Sequence, residues 1–476
     1  MKYDIIVIGS GPGGYVAAIR AAQLGRRVAV VEQAELGGVC LNRGCIPTKA
    51  LLKSAQVWGY VSGASSYGIE IDTDAARPDM ARIVARSRTV AETMSKGVAF
   101  LLNKNGVDVI HGHGRLAGQG RVEITMSIAP TGGDAMPPNS NGVTVITAGH
   151  IILATGARPR EMPFMPIDGR HVISSREALL MERVPESIVV VGSGAIGSEF
   201  AYFYAALGAK VTIVEHMPNL MPLEDEDVSK YMERTFRKLR TNVLTNTAVT
   251  SVRIEAGRCF VDVEGKKGPE TIEAEIVLSA VGIKSNIESL GLEELGVRTE
   301  RDKVVVDAFG ATNVAGVYAI GDLTPTPALA HVASAEAIAC VEKICGLSPA
   351  SIDFSAIPSC VYTTPEVASV GMTEKQALDA GLEIIMGKYP FTASGKAASA
   401  GNRDGFAKLI FDKTTDRLLG AHLVGANVTE MIAEPTLAKA LGVTARQIAA
   451  TVHPHPTMSE AILETAHAAH GVSVHI

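Results

Sequence analysis

The chain lacks the features that mark membrane, secreted and nucleic-acid-binding proteins. No apolar run approaches the roughly 18 residues that would span a bilayer. The N-terminus has no charged region, apolar core and cleavage site of a signal peptide. Six cysteines among 476 residues are too few for a disulfide scaffold. The net charge is -6, and no basic field indicates nucleic acid. We therefore expect a cytoplasmic protein.

Aromatic residues are also scarce, at 5% of the chain with a single tryptophan, whereas glycine is abundant, with 47 residues. Hydrophobic residues make up 47% and charged residues 20%, which is typical of a globular protein rich in the tight turns of α/β folds. At about 100–200 residues per domain, this length predicts three or four domains.

The first 32 residues fit a unit that binds dinucleotides. The strand Ile5–Ile8 leads into a G-x-G-x-x-G pattern, the helix Tyr15–Leu24 follows, and the strand Val28–Val31 ends at Glu32. In this unit the glycines allow a tight turn, close approach of a pyrophosphate and close helix packing, and Glu32 can accept hydrogen bonds from a ribose. The candidate cofactor-binding glycines are Gly9, Gly11, Gly13 and Gly14. A glycine-rich turn without a ligand is the alternative for the motif taken alone.

Residues 192–215 repeat residues 9–32 without a gap, and eleven of the 24 aligned positions are identical. The repeated glycines are Gly192, Gly194 and Gly197, and the repeated acid is Glu215. Two such units predict two dinucleotides, one a fixed flavin and the other an exchanging nicotinamide. A carboxylate at Glu215 accepts from a free 2′-hydroxyl and repels a 2′-phosphate, which favours NAD over NADP.

Cys40 and Cys45 follow the first unit at a spacing of five. A disulfide needs Cα atoms within about 7 Å, and an ideal helix places residues i and i+5 on poorly matched faces. The pair therefore requires an irregular start to a helix, which Gly44 can supply. Thiols near a helix N-terminus have lowered pKa values and are better nucleophiles.

Two buried free cysteines are the alternative for this pair. Cys340 and Cys345 have the same spacing, but they lie in the unbroken helical pattern 333–344, where we expect inert packing. No second cysteine or histidine pair stands at ligand spacing to Cys40 and Cys45, so we expect no metal site.

Residues 37–49 read Gly-Gly-Val-Cys-Leu-Asn-Arg-Gly-Cys-Ile-Pro-Thr-Lys. This segment resembles the redox-active disulfide motif of the flavin disulfide reductases, and it is most similar to that of the members that oxidise dihydrolipoyl groups. The resemblance implies that Cys40 is the interchange thiol facing the substrate, that Cys45 lies against the flavin and that Lys49 lies near flavin N5. Arg43 departs from the pattern, since many members have a small apolar residue there. We expect it to affect carrier docking or thiolate stability.

Further segments extend the resemblance over nearly the whole chain. It assigns flavin contacts to Thr155, Gly156, Asp322, Ala330 and His331, and nicotinamide contacts to Glu199 and Gly282. Glu199 is also implied to pair with Lys49, which would hold a cation near the flavin. Family members often carry an arginine soon after the glycine that matches Gly282, whereas this chain reads Ile-Lys-Ser-Asn at 283–286.

The last motif, His-Pro-His-Pro-Thr-Met-Ser-Glu at 453–460, matches the family's C-terminal signature His-x-His-Pro-Thr-x-x-Glu. The resemblance implies that His455 is the acid–base and that Glu460 orients it, a pairing that suits proton transfer from a thiol. An X-Pro bond in this turn is a candidate for the cis form. In this family the dyad reaches the cysteines of the other subunit, which implies a homodimer. His467 and His470 are expected at the surface.

These patterns predict an α/β protein with two Rossmann-like dinucleotide-binding domains and a C-terminal α+β dimerisation domain. The predicted segments are 1–157 for FAD, 158–281 for NAD, 282–349 completing the FAD domain and 350–476 for dimerisation. The implied reaction oxidises dihydrolipoyl groups of a lipoylated carrier with NAD+ through tightly bound FAD. The alternatives are a related reductase acting on another disulfide, and a subunit that mainly docks a lipoyl-carrying complex.

Overall fold

The computed structural model describes residues 1–126 and 142–476. Residues 129–142 are rich in proline, glycine and asparagine, which predicts a loop, and they lie outside the described residues except for Gly142. Within them the strands are β1 (Lys2–Ile8), β2 (Val28–Glu32), β3 (Asp108–His111), β4 (His113–Leu116), β5 (Arg121–Thr125), β6 (Val143–Leu153), β7 (Ala157–Pro159), β8 (Val172–Ile173), β9 (Ser187–Val191), β10 (Lys210–Val214), β11 (Asn242–Leu244), β12 (Ala248–Glu255), β13 (Arg258–Gly265), β14 (Gly268–Ala274), β15 (Ile276–Ser279), β16 (Ile283–Ser285), β17 (Thr299–Glu300), β18 (Lys303–Val304), β19 (Val317–Ala319), β20 (Pro358–Val361), β21 (Glu366–Gly371), β22 (Ile384–Pro390), β23 (Gly405–Asp412) and β24 (Leu418–Gly425).

The helices of the same described residues, in chain order, are α1 (Pro12–Gln23), α2 (Gly38–Arg43), α3 (Cys45–Ser62), α4 (Met80–Lys104), α5 (Ser175–Ala178), α6 (Ala195–Ala206), α7 (Glu226–Lys238), α8 (Ala330–Ile344), α9 (Glu374–Asp379), α10 (Gly395–Ser399), α11 (Val428–Met431), α12 (Ala433–Leu441), α13 (Ala445–Ala450) and α14 (Glu460–Ala469). None of them is both long and apolar enough to cross a membrane.

The chain divides into two compact units. The first unit consists of Met1–Ala50, Ala85–Arg160 and Ile283–Ile352. The second unit consists of Leu51–Val84, Glu161–Gly282 and Asp353–Ile476.

The first unit is built on a seven-stranded sheet with the strand order β3-β2-β1-β6-β5-β4, in which β19 also pairs with β6. Strand β1 runs parallel to both β2 and β6. All side chains from Ile5 to Ile8 are buried, because a parallel strand in this position has packed layers on both of its faces. The predicted Rossmann-like layout is therefore confirmed for this unit.

The second unit contains a five-stranded parallel sheet, β11-β10-β9-β15-β8, which repeats the nucleotide-binding layout. It also contains a three-stranded antiparallel sheet, β12-β13-β14, and a five-stranded antiparallel sheet, β20-β21-β24-β23-β22. Helix α14 packs on β22 and β23. The mixed C-terminal part agrees with the predicted α+β class.

Some predicted element boundaries were wrong. The apolar run at 151–153 predicts a short strand, but it is only the end of β6, which begins at Val143. Its first half alternates between partly and fully buried residues, because one face of that half packs on the core and the other is partly open. The helix predicted from residue 333 begins at Ala330, before the first regular apolar repeat.

A buried ion cluster ties α7 to the antiparallel sheet inside the second unit. The Lys408 side chain is only 3% exposed, and its Nζ lies 2.8 Å from an Asp225 oxygen and 2.7 Å from a Glu374 oxygen. Glu224 precedes Asp225 in the sequence. Its carboxyl is buried, and its Oε2 has no hydrogen-bond partner among the described residues. Burial raises the pKa of Glu224 to about 7, although a hydrogen bond with Ser369 opposes the shift.

We expect the Glu224→Gln variant to match the native chain in stability at pH 4.5 and to exceed it above neutral pH. Because the folded-state pKa of Glu224 lies above the ordinary glutamate value, folding takes up a proton between those two values. The native free energy of unfolding therefore falls by about 2 to 3 kcal/mol as the pH rises from about 4.5 to 7, and glutamine removes that loss. Thermal unfolding from pH 4.5 to 8 measures the difference. The exposed Glu293→Gln is the control, and a gap that did not change with pH would contradict the prediction.

Candidate active site

The acids at the ends of β2 and β10 hold the two glycine-rich loops in the same way. An oxygen of Glu32 accepts hydrogen bonds from the Ser10 backbone N–H at 2.8 Å and the Ser10 hydroxyl at 2.7 Å. In the second unit, Glu215 accepts from Ser193 at the same two distances. The two copies of the repeat predicted from the sequence therefore make the same side-chain contacts. The two serines were not singled out from the sequence, although they are among its identical repeat positions.

The first loop has the shape that a bound pyrophosphate needs. A Cβ at Gly9 would lie 2.3 Å from the Ala154 carbonyl oxygen, and one at Gly14 would lie 2.0 Å from the Gly9 carbonyl oxygen. These two glycines are therefore required by the packing of the chain itself. Gly11 faces open space, with nothing within 4 Å of a Cβ built there, at the N-terminal end of α1. The loop fits an anionic dinucleotide, because the free N–H groups of a helix start face that space.

The second loop repeats this arrangement. A Cβ at Gly192 would lie 2.5 Å from the Ala280 carbonyl oxygen and one at Gly197 only 2.0 Å from the Gly192 carbonyl oxygen, whereas Gly194 borders open space. Glu215 also accepts from the Met217 N–H at 2.8 Å, so three hydrogen bonds fix its carboxylate. A carboxylate offers about four acceptor sites, which leaves one for a ribose hydroxyl.

Cys40 and Cys45 lie on either side of a break between two helices, as the sequence predicted. Helix α2 ends at Arg43, Gly44 has the non-helical angles φ −148° and ψ −116°, and α3 begins at Cys45. The two cysteines are not joined by a disulfide here; Cys40 is half-buried and Cys45 is exposed. The break brings the two side chains into hydrogen-bond contact, which raises the pKa of the Cys40 thiol together with its burial, while the Lys49 charge opposes that rise.

Helix α2 is fastened to the first glycine loop. The Gly37 N–H donates to the Ser10 carbonyl at 3.1 Å, and the Asn42 amide donates to the Leu36 and Gly38 carbonyls at 2.9 and 3.0 Å. The cysteine-bearing helix and the dinucleotide loop are consequently one rigid piece of structure within the first unit.

Two arginines of the first unit make contacts at α2. Arg43 is the last residue of this helix, and Arg88 lies on α4. Arg43, where the sequence departs from the family pattern, pairs with Glu35. Arg88 donates to the Asn42 carbonyl at 2.7 Å, and its Nε and Nη2 are buried with no partner among the described residues. Burial lowers the pKa of Arg88. No sequence pattern indicated Arg88, because its contact depends on α4 packing beside α2.

The predicted flavin contacts outside the first loop lie in three separate segments of the first unit. The Thr155 hydroxyl donates to the Asn286 carbonyl at 2.7 Å, and the Asn286 amide donates back to the Thr155 carbonyl at 3.0 Å. Asp322 follows β19 directly, and burial raises the pKa of its carboxyl. Ala330 and His331 form the first turn of α8, with His331 exposed. The segment 283–286, which lacks an arginine, therefore contacts Thr155 and Gly156 through Asn286.

The predicted nicotinamide contact Glu199 lies on α6 and is almost fully buried. Its Oε1 accepts from the Tyr362 backbone N–H at 3.0 Å, a contact between residues 163 positions apart in the chain. Gly282 has φ +106° and faces open space. Lys49 belongs to the first unit and Glu199 to the second, so their pairing stays a prediction.

His455 and Glu460 form the dyad that the sequence predicted. His455 Nδ1 lies 2.8 Å from Glu460 Oε1, and the other carboxylate oxygen accepts from the Thr457 N–H at 2.7 Å. Burial raises the pKa of Glu460, but these hydrogen bonds outweigh it and the pKa lies below its ordinary value. The imidazole is 78% exposed, so Nε2 is open to a partner. The His455–Pro456 bond is cis, as the sequence suggested.

Two other histidines of the second unit pair with carboxylates. His453 Nε2 lies 2.9 Å from Glu434, which fastens the turn before His455 to α12. The His470 side chain is 25% exposed, and its Nε2 lies 2.9 Å from Asp416. The sequence did not reveal this pair, because Asp416 is 54 positions away and approaches through the β23–β24 turn.

Family models match almost the whole chain. Residues 3–337 match the model described as pyridine nucleotide-disulphide oxidoreductase. Residues 357–466 match the dimerisation domain of the same description.

Relatives of full length support the same family. The chain is 46% identical over 474 residues to a dihydrolipoyl dehydrogenase of Rhizobium etli, covering 99% of this chain and 98% of that protein. It is 41% identical over 478 residues to a dihydrolipoyl dehydrogenase of Bacillus subtilis, covering 100% and 99%. Among solved structures, LpdA of Mycobacterium tuberculosis matches with a TM-score of 0.87 at 27% identity, covering 97% of this chain and 99% of that one. RclA of Escherichia coli, an HOCl-induced flavoprotein disulfide reductase, matches with a TM-score of 0.84 at 26% identity, covering 98% and 99%.

Proposed function

We propose, because the chain belongs to the pyridine nucleotide-disulphide oxidoreductase family, that it oxidises protein-bound dihydrolipoyl groups to the lipoyl disulfide and reduces NAD+. The observation that carries the proposal is the Cys40–Cys45 pair at the break between α2 and α3, fastened to a dinucleotide loop. The relatives named dihydrolipoyl dehydrogenase, similar over their full length, support this substrate class.

In the proposed reaction the two cysteines begin as a disulfide. A dihydrolipoyl thiol gives its proton to His455, and the resulting thiolate attacks Cys40 Sγ, so that an S–S bond to the substrate forms and the Cys40–Cys45 bond breaks. Cys45 leaves as a thiolate. The second substrate thiol then attacks the substrate sulfur of the mixed disulfide and its proton passes to the departing Cys40 thiolate, which closes the lipoyl ring and releases Cys40 as a thiol. The electron pair stays on the cysteine pair.

Each residue has a stated task in this scheme. Glu460 fixes the His455 tautomer through Nδ1 and stabilises the imidazolium. Lys49 supplies a positive charge that favours thiolate at the pair. When bound, FAD would accept the electron pair and pass it to NAD+ as hydride.

The cofactor assignments rest on the two loops. We assign FAD to Gly9, Gly11, Gly13, Gly14 and Glu32 with Thr155, Gly156, Asp322, Ala330 and His331, and NAD to Gly192, Gly194, Gly197, Glu199, Glu215 and Gly282. Segments 1–157 and 282–349 would form the FAD domain, 158–281 the NAD domain and 350–476 the dimerisation domain.

We also propose a homodimer, in which His455 and Glu460 of one subunit serve Cys40 and Cys45 of the other. The match of residues 357–466 to a dimerisation domain supports it, and so does the exposed imidazole of His455. The reaction partner would be a lipoylated carrier protein. A cytoplasmic place suits the chain, because a cycling dithiol requires a reducing compartment.

The test is NADH formation by the purified protein from NAD+ and dihydrolipoamide, with NADP+ in parallel. We expect rapid turnover with NAD+ and turnover at least about tenfold lower with NADP+, because Glu215 repels a 2′-phosphate. A lipoylated carrier domain replaces free dihydrolipoamide in a second assay. A yellow protein with no turnover on either dithiol would contradict the substrate, and equal turnover with NADP+ would contradict the nucleotide assignment.

A further inference from the structure

The backbone of the Gly321–Asp322 segment is held from several sides within the first unit. Glu336 Oε2 on α8 accepts from the Gly321 N–H at 2.6 Å. The Gly321 carbonyl accepts from the Thr324 N–H at 2.9 Å and from the Thr324 hydroxyl at 2.8 Å. These contacts fix the peptide units before and after Gly321, from which the Asp322 side chain projects.

Two further donors converge on the single carbonyl oxygen of Asp322. The Ser285 hydroxyl donates to it at 2.6 Å, and Lys303 Nζ donates to it at 2.7 Å. Ser285 is fully buried at the end of β16, and Lys303 lies in β18. Both bonds are short, and both donors come from segments outside any nucleotide motif.

Ser285 is itself fixed in place. Its backbone N–H donates to Asp302 Oδ2 at 3.2 Å, and Arg160 approaches the same oxygen at 3.5 Å. Strand β16 pairs antiparallel with β7, with Ser285 opposite Ala157. The serine therefore connects β7 to the Asp322 carbonyl, so that the direction of the Asp322 side chain depends on it.

The Asp322 carboxylate, in contrast, accepts no hydrogen bond from the described residues, so its acceptor sites are available to a ligand. A half-buried carboxylate whose backbone is held by several donors is prepared to accept hydrogen bonds from a bound hydroxyl-bearing ligand. We propose that Ser285 and Lys303 are positioning residues that aim the Asp322 carboxylate at the polyhydroxyl chain of the flavin cofactor. This inference rests on FAD being the cofactor of the proposed function.

The test measures FAD affinity, not turnover. FAD is titrated into the FAD-free full-length chain and binding is followed by the quenching of flavin fluorescence. We expect Ser285→Ala to raise the Kd for FAD about five- to tenfold, since one hydrogen bond to a carbonyl is lost while the Ser285 N–H bond to Asp302 remains. Lys303→Met, which keeps the apolar stem, is expected to raise it about tenfold or more. Ser229→Ala, a buried serine of the second unit, is the matched control and should leave the Kd within about twofold.

A double-mutant cycle separates positioning from general destabilisation. If Ser285 acts through the Asp322 carboxylate, Ser285→Ala should change the Kd by less than about twofold in an Asp322→Ala background. If it has only a structural role, the same five- to tenfold loss appears in both backgrounds, and the proposal is overturned. Asp322→Asn, which keeps the side-chain size, replaces Asp322→Ala if the alanine variant does not fold or retains no measurable FAD binding.

The remaining outcomes are also decisive. A Ser285→Ala variant that binds FAD as tightly as the native chain overturns the proposal. A native chain that binds no FAD overturns the cofactor assignment, and this inference with it. A native chain that binds FAD but does not oxidise dihydrolipoyl groups overturns only the proposed substrate.

Discussion

Replacing Cys45 with serine is expected to reduce turnover with dihydrolipoamide at least about a thousandfold, while the protein stays yellow with bound FAD. Serine cannot form the disulfide that accepts the electron pair, so attack on Cys40 has no leaving group. The Cys45 side chain is exposed next to the helix break, and serine has nearly the same size, so folding should be unaffected. The measurement is NADH formation together with the flavin absorption spectrum.

Cys345→Ser is the matched control for this variant. Cys345 stands five residues from Cys340, as Cys45 does from Cys40, but it follows an unbroken helix. Cys340 is fully buried among apolar side chains, and burial raises the pKa of its thiol. We expect the control to keep native turnover. Native turnover by the Cys45→Ser variant would show that the pair is not the electron acceptor.

Replacing His455 with glutamine is expected to lower kcat with dihydrolipoamide by about 10²- to 10⁴-fold, because the substrate thiol then loses its proton without a positioned base. Glutamine keeps a polar side chain of similar length in an exposed position. Reduction of the bound flavin by NADH involves no substrate thiol, so its rate should stay close to that of the native protein. Stopped-flow flavin reduction and steady-state turnover measure the two quantities separately.

Variants of His467 and Glu460 provide a control and a comparison for the His455 prediction. His467→Gln on α14 is the matched control and should keep native turnover. Glu460→Gln should lower kcat less than His455→Gln does, because it leaves the base but weakens its orientation and its imidazolium. Because the pKa of Glu460 lies below its ordinary value, this carboxyl is ionised near neutrality and adds no step to the activity profile there. A variant lacking His455 that retained native kcat would assign the proton transfer to another group.

The sequence was sufficient wherever a function depends on a fixed spacing along the chain. The two glycine loops, the acids at Glu32 and Glu215, the cysteine pair and the His455–Glu460 dyad are all local patterns. Their geometry follows from one turn, one helix start or one strand end, so the order of the residues almost determines their position. The internal repeat was also visible in the sequence, because both copies have the same packing and use the same residues for it.

Only the tertiary structure decided the contacts between distant segments. Ser285 and Lys303 meet at the Asp322 carbonyl, His470 meets Asp416, and the Glu199 carboxylate meets the Tyr362 N–H. Each of these pairs joins elements that are far apart in sequence and carry no shared motif. Their approach is determined by the packing of strands and helices, because a buried polar group must find a partner wherever the fold places one. The sequence therefore determined the chemistry of this protein, and the fold determined which side chains hold that chemistry in place.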